Sequence, residues 1–279
     1  MRYCIEHLTE HRYTHVAIST EQSLRLSPRV EAHQRVLNWR IRAPGALSVA
    51  TDAYSNLTHM HTLHSKHDQV RIEVQGEVEL DALHDGRLAE RGGLPPQVFV
   101  AETPLTAADE RLTDFSHRLL KPSTAAGLLE FAQAVRSAID YEAGKTHVQT
   151  TAAEALALGR GVCQDHAHVF IAGCRAAGIP ARYVSGYYYS DRRATQVASH
   201  AWADVWVSDG WISVDVTHAC FASDTLCRLA IGRDYDSASP VRGVRAGGGD
   251  EAMLVTLTVR RVANKEEGAP AGRPEEVMA

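Results

Sequence analysis

The amino-acid sequence predicts an α+β protein in which an N-terminal antiparallel β-sandwich-like domain precedes a core of helices and antiparallel strands. Two observations give this prediction. Short stretches of partly alternating polar and apolar residues, separated by turn residues, occupy the first part of the chain, as is typical of a sandwich or barrel. Beyond them the apolar residues recur with a helical period, and further strand-like stretches follow. The predicted units are a β-domain at 1–98, a core at 99–225, a C-terminal segment with a late strand at 226–262, and a disordered tail at 263–279.

Composition limits which classes of partner and which cellular compartment are expected for this protein. The net charge of −5 provides no basic field for a nucleic acid. No apolar stretch is long enough to span a membrane, and the first residues do not form a signal peptide. The five cysteines are odd in number and scattered, which indicates free thiols rather than a disulfide framework. We therefore expect a cytoplasmic protein that binds neither nucleic acid nor membrane, with no prediction of its oligomeric state.

The β-domain prediction depends on four strand-like stretches and the turn residues between them. Pro28, the Pro44-Gly45 pair and Gly76 interrupt the pattern, and the Gly- and Pro-rich residues 91–96 mark the edge of the domain. The predicted strands are Thr14–Ser19, Arg35–Ile41, Thr58–Leu63 and Val70–Gln75.

The core prediction begins with helical patterns and ends with strands. Helical stretches start near Leu105 and near Ser123. Thr151 and Glu154 have the spacing of a capping box, with Gly159 as the stop. A further helix runs from about Cys163 to Ala177 and ends at Gly178-Ile179-Pro180. The strands expected after it are Ala181–Tyr188, His200–Val207, Trp211–Val216 and, late in the chain, Glu251–Val262.

Cys163 is the candidate nucleophile. It follows Gly161 at a predicted helix start, where the partial positive charge of the helix favours a thiolate and the backbone amides can bind an oxyanion. The other four cysteines are expected to be small buried hydrophobic residues. A histidine and then a carboxylate on later strands complete the order that a Cys-His-Asp site requires, and His200 and Asp215 occupy those places.

The residues alone leave the orienting carboxylate open. A two-residue Asp209-Gly210 turn puts His200 and Asp215 on one face of a hairpin. The same register sets Asp215 opposite Asp204, about 13 Å along the strand from His200. A bulge or a longer turn has to shift that register, so Asp204 is a competing partner for His200.

Four ordered blocks stand out in the core: Gly161–Asp165 (GVCQD), Gly178–Tyr187 (GIPARYVSGY), Ser199–Trp202 (SHAW) and Gly210–Asp215 (GWISVD). In these blocks the sequence resembles the bacterial transglutaminase-like family, a branch of the papain-like thiol enzymes. The region before the core resembles the β-domain that commonly precedes it in this family, through Arg25–Arg29 and Asp52–Asn56, and Gly232–Asp236 resembles the family's C-terminal part. Three positions depart from the family pattern: Val216 stands where a proline is usual, His218 where an asparagine is frequent, and Ser55 where a glycine is usual.

The resemblance implies a transglutaminase-like, papain-like core with Cys163 as nucleophile, His200 as base and Asp215, rather than Asp204, as its orienting partner. The implied activity is thiol-dependent acyl transfer through a thioester, with hydrolysis of a peptide or amide bond favoured and no cofactor or metal required. The substrate would be a peptide, a protein or a small amide. The alternatives are a protein-crosslinking transglutaminase and a non-catalytic peptide-binding module on the same fold.

Two groups of histidines and one group of tyrosines are further candidate sites. His166 and His168 lie on opposite sides of a helix, so they cannot share one metal ion. A denser cluster consists of His59, His61, His64 and His67. Because no cysteine or carboxylate accompanies them at ligand spacing, we expect a surface strand rather than a metal site. For the tyrosines at 187–189 two roles are equally expected: packing in the core and at its edge, or lining the mouth of a cleft for an acyl group.

Overall fold

The computed structural model describes residues 1–89, 93–120, 124–190, 199–208 and 210–262. The predicted tail at 263–279, residues 91–92 of the domain edge, and Ser123 lie outside this part of the chain. Within it, no helix combines the length and the apolar character that a membrane crossing requires. The helices are α1 (Glu110–Leu119), α2 (Ala125–Ala138), α3 (Ala152–Leu158), α4 (Cys163–Ala176) and α5 (Tyr235–Ala238). The strands are β1 (Arg2–Leu24), β2 (Gln34–Arg42), β3 (Ala46–Thr51), β4 (Leu57–Leu63), β5 (His67–Leu80), β6 (Asp140–Tyr141), β7 (Arg160–Gly161), β8 (Ala181–Tyr188), β9 (Ser199–Val207), β10 (Gly210–Asp215), β11 (Cys220–Phe221), β12 (Leu226–Gly232), β13 (Val241–Gly247) and β14 (Glu251–Arg261).

The N-terminal sheet is antiparallel and is organised around one long strand, β1. The first half of β1 pairs with β5 and β14, and its second half pairs with β4 and β13. Strands β2 and β3 extend the sheet beyond β5 and β4. Apolar side chains of alternate residues, such as Ile5 and Ile72, are fully buried beneath it. The predicted strand Thr14–Ser19 is therefore only the middle of β1.

The core sheet is also antiparallel, in the order β11-β10-β9-β8-β12. Helix α4 packs against β8 and β9 through fully buried residues that include Val169, Ile171 and Val205. Thr151 and Glu154 form the capping box that their spacing predicts, and Gly159 ends α3 with a φ of 67°. The α+β class with an antiparallel N-terminal sheet ahead of the core is thereby confirmed.

Residues 226–261 contribute strands to both sheets. Strand β12 closes the core sheet, whereas β13 and β14 return to β1. The late strand predicted at Glu251–Val262 is present as β14.

Two amide side chains join the N-terminal sheet to β12. The Gln34 amide donates to the carbonyl oxygen of Arg228 at 2.8 Å and accepts from its backbone N–H at 2.8 Å. The Asn56 amide pairs with both backbone groups of Ile231 in the same way, at 2.7 and 2.9 Å. Both amides are buried, so they satisfy backbone groups that β12 would otherwise leave unpaired. The core sheet is thus held in a fixed position relative to the N-terminal sheet.

Candidate active site

Cys163 is the first residue of α4 and is partly buried. The helix begins here because the Asp165 carboxylate accepts a hydrogen bond from the Val162 N–H at 2.7 Å. The Thr146 hydroxyl donates to the same carboxylate oxygen at 2.7 Å. A Cβ on Gly161 would lie 2.5 Å from that oxygen, so only glycine fits before the cap. The local sequence thereby holds the thiol at the positive end of the helix.

His200, the second residue of β9, links the thiol to the carboxylate. Its Nε2 donates to Oδ2 of Asp215 at 2.9 Å, and its ring also forms a hydrogen bond with the Cys163 side chain. Since Nε2 is engaged by Asp215, Nδ1 is the ring nitrogen available to the sulfur. Burial alone lowers the pKa of His200, but the charge and hydrogen bond of Asp215, followed by those of Cys163, raise this pKa to about 10.

Asp215, the last residue of β10, is almost completely buried and binds two histidines. Oδ2 accepts from Nε2 of His200 at 2.9 Å and from Nδ1 of His218 at 2.7 Å. The backbone N–H of His218 donates to Oδ1 at 3.2 Å. Burial raises the pKa of Asp215, but the charge and hydrogen bond of His200, together with His218, outweigh this and hold the pKa well below its usual range.

The observed strand register brings Asp215 to His200. Asp209 of the predicted Asp209-Gly210 turn lies outside the described residues. Gly210 pairs with Val207 and Val214 pairs with Ala203, so Gly210 belongs to the ladder. The pairing is shifted by two residues from the ideal register. A shift of two keeps every side chain on its original face but advances Asp215 by about 7 Å along β9. Continuing the register puts Asp215 beside Trp202, one diagonal step from His200.

Asp204, the competing carboxylate, binds arginines instead of His200. It is fully buried and accepts from Nε of Arg182 at 2.8 Å and from Nη2 of Arg228 at 2.6 Å. Burial raises its pKa, but the two guanidinium charges hold the pKa well below its usual range. The Ser213 hydroxyl accepts from Nη1 of Arg228 at 3.2 Å and from Nε1 of Trp202 at 3.0 Å. This network supports Trp202, whose ring stacks beside His200 with centroids 5.9 Å apart.

The two histidines of α4, His166 and His168, form hydrogen bonds with residues other than Cys163 and Asp215. Nδ1 of His166 lies 3.0 Å from the Thr217 hydroxyl, and its Nε2 lies 3.1 Å from the Ile139 carbonyl oxygen. Burial lowers the pKa of His166 to about 4. His168 is fully buried, and its Nε2 accepts from the backbone N–H of Tyr235 at 3.1 Å.

Two histidines of the N-terminal cluster, His61 and His67, are engaged by other residues. His61 contacts Gln22 at 3.0 Å and the Pro44 carbonyl oxygen at 2.6 Å, so both ring nitrogens are engaged. His67 contacts Thr20 at 2.8 Å and the Ser65 carbonyl oxygen at 2.6 Å. Within the described residues, the group of three or more His, Cys, Asp or Glu ligands close enough to hold a metal ion is instead His200, Asp215 and His218.

His218 is the site residue that sequence reasoning missed. The sequence identifies it only as a departure from the family pattern. Its position three residues after Asp215, just beyond a strand end, is the available signal, since a turn there brings the two side chains together. The Tyr188 ring lies against both histidines, with centroids 5.4 Å from His200 and 4.8 Å from His218. Tyr187 is buried and bonds Nδ1 of His7 at 2.7 Å. Of these two tyrosines, one packs in the interior and the other lies at the site.

A helix-start thiol beside a histidine on an antiparallel sheet, with a carboxylate behind the histidine, is the arrangement of the papain-like thiol enzymes. Comparison with known sequences agrees. Residues 114–216 match the sequence model of the transglutaminase-like superfamily, and residues 3–79 match that of the bacterial transglutaminase-like N-terminal region. Together the two matches cover more than half of the chain. The protein belongs to the bacterial transglutaminase-like family.

Full-length relatives and a solved structure extend this result. An uncharacterized protein of Mycobacterium leprae is 28% identical over 94% of this chain and 99% of its own length. An uncharacterized protein of Mycobacterium tuberculosis H37Rv is 29% identical over 87% of each chain. The crystal structure of a candidate cysteine protease from Cytophaga hutchinsonii superposes with a TM-score of 0.75 over 95% of this chain and 92% of that one, at 18% identity. That likeness shows the same fold.

Proposed function

We propose that the protein is a cysteine-nucleophile acyl-transfer enzyme that hydrolyses a peptide or amide bond. The observation that carries the proposal is the position of His200, which bonds the Asp215 carboxylate on one side and the Cys163 thiol on the other. The family and the fold support a cysteine-based enzyme.

The geometry supports one sequence of steps. The proton that Cys163 and His200 share lies on Nδ1 of His200, and the resulting imidazolium is stabilised by Asp215. The thiolate attacks the substrate carbonyl carbon, and the oxygen that gains the negative charge lies near the backbone N–H groups at the start of α4. His200 then returns the proton to the leaving amine as the C–N bond breaks, which leaves a thioester on Cys163.

The acceptor of the thioester distinguishes hydrolysis from crosslinking. Water, deprotonated by His200, releases a carboxylic acid and restores the thiol. A primary amine in its place gives a new amide bond. Every residue named above serves both outcomes, so the proposal of hydrolysis is a statement about which acceptor reaches the thioester. We also propose a cytoplasmic location, which is consistent with the free cysteines.

Trapping the acyl-enzyme tests this proposal. The protein is mixed with an activated acyl ester, quenched in acid and weighed by mass spectrometry. We expect one acyl group, on Cys163, absent from Cys163→Ala and formed much more slowly by His200→Ala. Cys220→Ala is the matched control, because Cys220 is the exposed cysteine on the neighbouring strand β11.

A second arm settles the acceptor. Adding a fluorescent primary amine to the acylated protein should leave most of the acyl group as free acid. Predominant transfer to the amine would favour crosslinking. An acyl group that never forms, together with peptide binding that Cys163→Ala preserves, would favour a binding module.

A further inference from the structure

We propose that His200, Asp215 and His218 form a binding site for a divalent cation of the zinc class, and that the bound ion switches the active site off. The binding follows from the geometry alone. The inhibition rests on the proposed function.

The ligand atoms are already gathered. Nε2 of His200, Nδ1 of His218 and a carboxylate oxygen of Asp215 all lie within 4.8 Å of one another. Both ring nitrogens point at the same oxygen, from 2.9 and 2.7 Å. Two histidines and a carboxylate are a usual ligand set for zinc, and in a tetrahedral site with bonds of about 2.1 Å the ligand atoms lie about 3.4 Å apart. The two ring-to-carboxylate distances are shorter than this, so the rings have to move slightly away from the carboxylate oxygen and adjust their own separation to admit the ion.

The surroundings allow that adjustment on one side only. His200 and Asp215 lie on strands of the same sheet and are almost completely buried. The His218 side chain is 42% exposed, so it can move and can admit an ion from solvent. Oδ1 of Asp215 is held by the backbone N–H of His218, which keeps Oδ2 turned toward the two rings. Fixed and oriented ligands of this kind increase metal affinity.

A bound ion would change what His200 can do. Coordination uses the lone pair of Nε2 and releases the proton of that nitrogen to solvent. The neutral ring then carries its remaining proton on Nδ1, the nitrogen that faces Cys163, so it cannot accept the thiol proton. The negative charge of Asp215 is also used by the ion instead of by the imidazolium. Binding should therefore inhibit acyl transfer.

Zinc titration of the full-length Cys163→Ala variant by calorimetry tests the site without any need for turnover. We expect one ion per chain. The informative variant is His218→Asn on this background, because asparagine keeps an N–H donor for Asp215 but has no imidazole nitrogen. It should weaken zinc binding about a hundredfold or more, beyond the effect of losing an outer-shell partner.

The controls separate this site from adventitious binding. His84→Ala removes a histidine whose side chain is 91% exposed, and Cys220→Ser removes the thiol on the strand beside Asp215. Both should bind zinc like the parent. Equal affinity in His218→Asn, or loss of binding in Cys220→Ser or in Cys163→Ala relative to the wild type, would overturn the assignment.

The regulatory step has its own readout. Zinc should stop acylation of the wild-type protein, and a chelator should restore it, whereas His218→Asn should need a much higher zinc concentration relative to its own uninhibited rate. Zinc that binds with the expected dependence on His218 yet leaves acylation unchanged would refute the inhibition and keep the site. If no acylation occurs under any condition, the proposed function fails while the titrations still decide the binding.

Discussion

Asp204 lies directly opposite Ser213 in the β9–β10 ladder, and Arg228 bonds both side chains. This pairing fixes the register that carries Asp215, two residues further along β10, to His200. As a result, the two buried carboxylates of this sheet have different partners. Asp204 balances guanidinium charges, whereas Asp215 bonds imidazole rings.

Replacing Asp204 should therefore destabilise the fold. Asp204→Asn leaves two buried arginines without their carboxylate, and breaking a buried pair in this way costs about 3–5 kcal/mol. Denaturant unfolding measures the loss of free energy. The matched control is Asp236→Asn, whose carboxylate pairs with Arg242 at the surface, where both side chains are exposed. That change should cost less than about 1 kcal/mol. Equal stability of the two variants would mean that the arginine network does not hold the register.

Replacing Asp215 should act on turnover. Asp215→Asn keeps a polar partner for Nε2 of His200 but loses the charge that stabilises the imidazolium, so kcat should fall by about 10²-fold or more. Asp215→Ala should lose more, because it also frees the ring to rotate. Steady-state kinetics on an activated ester compares the two. Full activity of Asp215→Ala would contradict the role of the carboxylate.

Replacing His200, His166 and His168 one at a time should show which of the three is the base. His200→Ala should abolish turnover while the circular dichroism spectrum stays that of the folded protein. His166→Ala and His168→Ala should retain turnover, since neither ring lies between the thiol and a carboxylate. Both should lower stability, because each removes a buried ring with a hydrogen-bond partner. An inactive but folded His166→Ala with an active His200→Ala would reverse the assignment.

Stability should depend on pH through His200. Its pKa of about 10 in the folded protein lies above the ordinary value of 6.5. The folded state therefore holds this proton more tightly than the unfolded chain. The resulting stabilisation is complete below about pH 6.5 and is lost as the pH rises toward about 10. The difference in the free energy of unfolding between the wild type and His200→Ala should shrink from about pH 6 to about pH 9.5. A constant or growing difference would show that the pKa of His200 is not raised.

Local sequence signals were sufficient where one residue type determines the geometry. The capping box of Thr151 and Glu154, the stop at Gly159, and the helix that starts at Cys163 depend on contacts only a few residues apart. The register of β9 and β10 could not be derived, because the pairing expected from a turn at Asp209-Gly210 and the observed pairing bury the same faces. The choice between Asp204 and Asp215 therefore came from the family resemblance.

Contacts between residues that are remote in sequence could not be predicted either. The length of β1 depends on β5, β14, β4 and β13, whose pairing partners are remote in sequence. The same is true of the side-chain amides of Gln34 and Asn56, which bind a strand far along the chain. His218 was visible as a deviation from the family, but its contact with Asp215 needed the turn after β10.

The most direct measurement of the central claim is a brief alkylation of the folded protein with iodoacetamide near neutral pH, mapped by mass spectrometry. Burial raises the pKa of Cys174 and of Cys227, and burial with the Asp215 charge raises the pKa of Cys220 to about 11, so these thiols should react slowly. Cys163, which lies at the start of α4 and is hydrogen-bonded to His200, should be the rapidly labelled residue. His200→Ala should slow its labelling. Labelling of Cys220 as fast as that of Cys163, or no effect of His200→Ala, would contradict the assignment of Cys163 as the nucleophile.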